Sequence, residues 1–138
     1  MDRISAEDHK VLAEWAAACA ERVLEYFETE NPGDNRPRNA IMAARYWISA
    51  KMKTQEVRRL AFEAHAAARN ANTVSAKAAA RSAAHAAAAA HVASHARHAA
   101  AYALKAAGNP GLERKLQSDS LPEHLRMRWQ VTTTVLPA

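Results

Sequence analysis

Residues 73–107 read TVSAKAAARSAAHAAAAAHVASHARHAAAYALKAA, and this stretch decides the fold. It runs for 35 residues without a glycine or a proline, the two helix breakers, and alanine, the best helix former, dominates it. The composition predicts helix throughout, as one long element or as two joined by a small kink near residues 94–98. Val74, Ala78, Ser82, His85, Ala89, Val92, Ala96, Ala100, Ala103 and Ala107 recur in steps of three and four, the period of one helix face. Side chains this small let a neighbouring helix come nearer than the usual axis separation of about 8–10 Å. The stripe is therefore expected to be a packing seam.

Upstream, Ser5 with Asp8 three residues on is a variant of the capping box. Over residues 5–28, Leu12, Trp15, Ala16, Cys19, Ala20, Val23, Leu24 and Phe27 form one apolar stripe, with Glu14, Glu21, Glu25 and Glu28 opposite. Asn31-Pro32-Gly33-Asp34-Asn35 is a turn. A second helix is expected from Arg36, capped by Asp34 or Asn35, with Pro37 in the first turn, where its missing N–H costs nothing. Thr54 is expected to cap a third helix that turns Val57, Leu60, Ala61, Ala64, Ala68 and Ala71 inward, with His65 at the edge of the stripe. Beyond the turn at Asn109-Pro110-Gly111 come a short helix near residues 112–117, another start at Leu121-Pro122-Glu123 and an irregular, β-leaning tail over 131–138. The expected architecture is an all-α, single-domain bundle of about five to six helices over residues 1–138, held by the alanine seam.

Composition agrees. Alanine supplies 36 of 138 residues and Gly and Pro together only 8, which argues against all-β and α/β folds. With 24% charged and 49% hydrophobic residues the chain reads as globular and not disordered. No apolar run approaches the ~18 residues of a spanning helix, and the opening MDRISAEDHK has no signal-like apolar region. A single cysteine, Cys19, forms no internal disulfide. The expected location is cytoplasmic, without membrane contact.

The net charge of +5 hides an asymmetry: residues 1–35 sum to −6 and residues 36–138 to +11, and no carboxylate stands between Glu63 and Glu113. Opposite potentials at the two ends would draw an acidic partner to the basic part; the plain alternative is a solvated helical surface. Arg36, Arg38, Arg45, Lys51, Lys53, Arg58 and Arg59 concentrate seven bases against one acid in residues 36–60. No helix-turn-helix glycine, zinc finger or stacking-aromatic motif accompanies them, so nucleic-acid binding is not expected.

The histidines are the chemical candidates. His91, His95 and His98 are spaced i, i+4, i+7, one helical face with Tyr102 a turn beyond, and are weak candidates for a metal. There is no H-E-x-x-H and no nearby carboxylate to complete or support such a site, so neither a metal nor another cofactor is expected. His85 lies in the seam and, if buried, needs hydrogen-bond partners; His65 approaches it if their helices form a hairpin. Two readings stand: core histidines that fix helix register, or a polar pocket lined by His65, His85 and Arg45. Cys19, inside the apolar stripe, reads as a buried small hydrophobe and not as a nucleophile. Without a Ser or Cys nucleophile, clustered carboxylates or a Gly-rich phosphate loop, enzyme activity is not expected.

Two longer blocks carry a resemblance. Trp15-Ala-Ala-Ala-Cys19-Ala-Glu-Arg-Val23-Leu24 is followed by Asp34-x-Arg36-Pro37-Arg38-x-Ala40-Ile41-x-Ala-Ala44-Arg45-x-Trp47. With Ala64-His65-Ala-Ala-Ala-Arg69, Ala84-His85, Ala90-His91-Val92-Ala93, His95-Ala96, Tyr102-Ala103 and Leu121-Pro122-Glu123-x-Leu125-Arg126, the chain resembles the fifth of the numbered immunity-protein families of bacteria over residues 9–126. The resemblance implies an all-α cytoplasmic protein that protects its producer by binding and occluding a cognate toxin, and it points to Asp34, Arg36, Arg38, Arg45, His65, His85 and His91 as positions for partner or pocket binding. Each has a structural alternative: Asp34 as a cap, Arg38 and Arg45 as partners of the first helix's acids, the histidines as core hydrogen bonders. The competing class is a small-ligand or metal-binding helical module with a histidine-lined pocket. Self-association is left open.

Overall fold

The computed structural model describes residues 4–130. Seven helices follow one another: α1 Ala6–Glu30, α2 Arg36–Ile48, α3 Thr54–Asn70, α4 Val74–Ala88, α5 His95–Ala106, α6 Pro110–Ser120 and α7 Glu123–Trp129. The fold is all-α, with no strand among the described residues. The count exceeds the expected five to six because residues 73–107 divide into α4 and α5, and Leu121-Pro122-Glu123 opens a true seventh helix. The β-leaning tail expected over 131–138 lies outside the described residues.

Local chemistry sets most boundaries. Ser5 Oγ accepts from the Asp8 N–H at 3.0 Å, Thr73 Oγ1 from the Ala76 N–H at 3.1 Å, and Asn109 Oδ1 from the Leu112 N–H at 3.1 Å, each satisfying an otherwise orphaned first-turn donor. Pro37 and Pro110 stand in the first turns of α2 and α6. Thr54 is the first residue of α3 and not its cap; Lys53 holds that place without a side-chain bond. The end of α2 is a Schellman turn, in which the Lys51 N–H reaches Tyr46 O and the Ala50 N–H reaches Trp47 O. Ala50 takes the left-handed position, with φ of 61°.

The break between α4 and α5 comes at residues 89–94, a little before the expected kink, and no breaker residue causes it. Here the ladder tightens to i+3 bonds: the Ala90 N–H reaches Ala87 O, His91 reaches Ala88, His95 reaches Val92 and Ala96 reaches Ala93. The reversal lets α5 run back along α4, where Ser82 Oγ donates to Ala99 O at 2.7 Å inside the core. His9 of α1 donates from Nε2 to the Ala89 carbonyl at 2.6 Å, serving an acceptor at the end of α4. Burial of two alanine faces outweighs continuation of one helix.

At the centre lies α4, packed against α1, α2, α3 and α5. Nine of its fifteen residues are buried, Ala76, Ala78–Ala80, Ser82–Ala84, Ala86 and Ala87, so it is apolar nearly all round, as a central helix must be. The seam holds at Ala78, Ser82, Ala89, Ala96, Ala100 and Ala103, all buried. Val74 and Val92 leave it, being 66% and 42% exposed, because one sits in the first turn of α4 and the other in the reversal. Larger side chains come from the flanks: Leu12, Trp15, Val23 and Phe27 of α1, Val57 of α3 and Trp129 of α7. Cys19 is fully buried, and that burial pushes its thiol up to about 12.

A polar knot fastens α6. Arg22 of α1 makes a two-pronged ion pair with Glu113 (2.7 and 2.9 Å), a carboxylate almost wholly buried. Gln117 donates to Glu113 and to Ala100 O, while Trp15 Nε1 donates to Gln117 O at 2.9 Å.

Candidate functional site

The two hairpins α3–α4 and α4–α5 set the histidines against one another. His65 meets His85 edge to face, ring centroids 5.0 Å apart. From α5, His95 and His98 approach His85 at 5.2 Å, and Tyr102 stacks on it at 5.4 Å with 9° between the planes. Nδ1 of His85 lies 3.0 Å from Nδ1 of His95, so one ring donates and the other accepts, in opposite tautomers. Arg81 Nη1 donates to Nδ1 of His65 at 2.6 Å. A guanidinium has no acceptor, so His65 is neutral and carries its proton on Nε2.

Burial and neighbouring cations hold the imidazoles of His65, His85 and His95 below their ordinary value. Burial pushes His65 down to about 4, helped by Arg81 and Arg69. His85 falls to about 3 through burial and then through His65, His95 and His98. His95 is lowered by burial, His98 and His91. No carboxylate contributes to these three shifts.

A cavity of about 490 Å³ lies beside the cluster and shares Arg81 and Tyr102 with it. Ala68 and Ala78 form part of its apolar lining, Val74 is exposed at its edge, and Arg69, Lys77 and Lys105 complete its cationic lining. None of the four cations has a carboxylate partner among the described residues. The fifth cation of the acid-free interval, Arg97, is occupied elsewhere: it stacks over Trp129 at 4.9 Å and donates to Arg128 O.

The arginines of the D-x-R-P-R block are placed differently. Asp34 accepts from the Arg36 N–H and side chain, bridging the turn into α2. Arg38 pairs with Glu28 at 2.5 Å, and Arg45 reaches both Glu14 and Glu21 at 3.0 and 2.9 Å. Arg59 pairs with Glu56 and Glu63, and Arg58 lies over the Phe62 ring at 5.6 Å. The expected pocket of His65, His85 and Arg45 is corrected here: Arg45 binds α1 acids, and Arg81 takes the place beside His65.

His91 is exposed in the reversal before α5 begins. The i, i+4, i+7 face of His91, His95 and His98 therefore does not form, because α5 starts only at His95. Among the described residues, no group of three or more His, Cys, Asp or Glu is arranged to hold a metal ion. Sequence reasoning passed over Arg69, Lys77, Arg81 and Lys105, although their signal was present as the acid-free interval itself.

These features define an all-α bundle whose most chemically distinctive surface is a cation-lined apolar cavity backed by neutral histidines. The model of the family described as "Imm-5 like putative immunity protein" matches residues 2–129, and the chain belongs to that family. No curated protein and no solved structure matches the chain.

Proposed function

We propose that this protein binds a cognate bacterial toxin in the cytoplasm of the producing cell and neutralises it by one-to-one occlusion, without chemistry of its own. The observation that carries the reading is membership of an immunity-protein family over residues 2–129. Side-chain chemistry supports occlusion over catalysis. The lone cysteine is buried with its thiol raised to about 12, and among the described residues the bonds made by His65, His85 and His95 go to Arg81 and to one another, not to a carboxylate that would orient a general base. No helix among the described residues is long and apolar enough to cross a membrane.

The test is to clone the genes flanking this one, find by expression any that arrests growth, and co-express the chain with it. Growth is expected to recover, and the two purified chains are expected to form a complex with one-to-one stoichiometry by calorimetry. A toxin that remains fully lethal and unbound in the presence of the chain would refute the proposal.

A further inference from the structure

The geometry points to the cavity between α3, α4 and α5 as the docking surface, and to an acidic segment bearing one protruding apolar side chain as its occupant. The inference rests on the immunity reading and names the surface and chemistry of that partner. Charge complementarity carries it. Arg69, Lys77, Arg81 and Lys105 line one cavity, and no carboxylate among the described residues pairs with any of them. Arg81 is also held by His65, but like charges so gathered repel one another, whereas an incoming carboxylate gains attraction from several at once.

The same molecule shows what its cations do when they serve the fold. Arg22, Arg36, Arg38, Arg45 and Arg59 each hold a carboxylate. Cavities elsewhere include acids, with Glu14 at one, Glu25 and Glu30 at another and Glu113 at a third. The volume of about 490 Å³ falls within the range of about 300–1,000 Å³ typical of ligand pockets. The apolar part of its lining, Ala68 and Ala78 with Val74 66% exposed at the edge, offers an inserted apolar side chain a contact. That is the arrangement of a buried anchor inside a charged rim. A phosphate backbone would use the cations and leave the apolar lining bare, so a peptide fits better than a nucleic acid.

Two measurements decide the matter, each on the full chain. In the first, the ¹⁵N-labelled protein is titrated with the peptide Ac-EELEE-NH2, in parallel with Ac-KKLKK-NH2. Shifts are expected to concentrate at the amides of Ala68, Val74 and Ala78 with the acidic peptide alone; scattered shifts, or none, overturn the surface. In the second, association with the toxin found by that co-expression is timed for the wild type, for Lys77→Glu with Lys105→Glu, and for Lys51→Glu with Lys53→Glu. The last pair changes net charge equally at exposed residues outside the cavity.

Reversal at the cavity is expected to slow association at low salt at least tenfold and to flatten its salt dependence, with the control within about threefold of wild type. Equal effects of both pairs, or none, overturn the surface while leaving toxin binding intact. Tight binding of random duplex DNA that the cavity pair abolishes, with no response to the acidic peptide, assigns the cations to phosphate and also overturns it. Failure of the wild type to bind the toxin refutes the immunity reading, and the surface is then judged by the peptide alone. Matching thermal melts confirm that the variants are folded.

Discussion

Lowering the pH from 7.5 to 5.5 is expected to destabilise this protein through its histidine cluster. His65 and His85 sit near 4 and 3 in the folded chain, against an ordinary 6.5. In the unfolded chain both regain the ordinary value, so between pH 6.5 and those lowered values the unfolded state binds more protons. Stability is therefore complete above about pH 6.5, falls as the pH drops through 6 and 5, and levels off only once the folded histidines protonate. One pH unit across that window costs at most about 1.4 kcal/mol per histidine. Two residues set a ceiling of about 3 kcal/mol between pH 6.5 and 5.5, and partial solvent access reduces this to about 1–2 kcal/mol.

Carboxylates act in a separate window. Glu21, Asp34 and their like have lowered folded values, so their contribution is retained above the ordinary carboxylate range and lost only below it. Urea unfolding at pH 7.5, 6.5, 5.5 and 5.0 measures the slope. The double variant His65→Gln with His85→Gln keeps hydrogen-bonding capacity but cannot titrate, and should flatten the curve across that window. A wild type whose stability is unchanged from pH 7.5 to 5.5, or a double variant with the wild-type slope, would refute the reasoning.

Three further outcomes are expected in urea or thermal unfolding at neutral pH. Ala89→Leu and Ala96→Leu each overfill a fully buried seam position and should cost about 1–3 kcal/mol; wild-type stability would mean the seam is loose. Ala50→Gly relieves a left-handed alanine at an exposed helix end and should stabilise by about 0.5–1 kcal/mol, net of the entropy glycine adds to the unfolded chain. Arg22→Met strands the buried Glu113 and should cost about 3 kcal/mol, whereas Arg45→Ala, whose partners Glu14 and Glu21 are more than half exposed, should cost about 1 kcal/mol or less.

Much of the fold is written locally. Ser5, Pro37, Thr73 and Asn109 mark helix starts through their own side chains, and each start is legible without knowledge of the rest. The reversal at residues 89–94 is not, because the stretch is helix-forming at every position; what bends it is the gain from burying α5 against α4, a tertiary effect that propensity does not contain. Val92 belongs to the seam only on an uninterrupted face, and the reversal ends that face before it, while Val74 is exposed in the first turn of α4. A single face for His91, His95 and His98 requires the same uninterrupted helix, and α5 begins only at His95.

Charge is instructive because a linear sum hides pairing. The excess of −6 in residues 1–35 does not face solvent alone, since α2 folds back on α1 about the turn at Gly33. Glu28 and Arg38 are equidistant from Gly33, as are Glu21 and Arg45, and both pairs form. A hairpin brings opposite signs together only where the two arms carry them. By the same logic, α3, α4 and α5 fold back on one another across an interval with no acid between Glu63 and Glu113. Its two bounding carboxylates are taken, Glu63 by Arg59 and Glu113 by Arg22. Within the interval, then, any antiparallel pairing brings Arg69, Lys77, Arg81 and Lys105 only to each other or to histidines. The gap between acids is thus the linear signature of cations that no carboxylate of the interval can neutralise: Arg97 turns to Trp129 and Arg81 to His65, while Arg69, Lys77 and Lys105 are left to line the cavity.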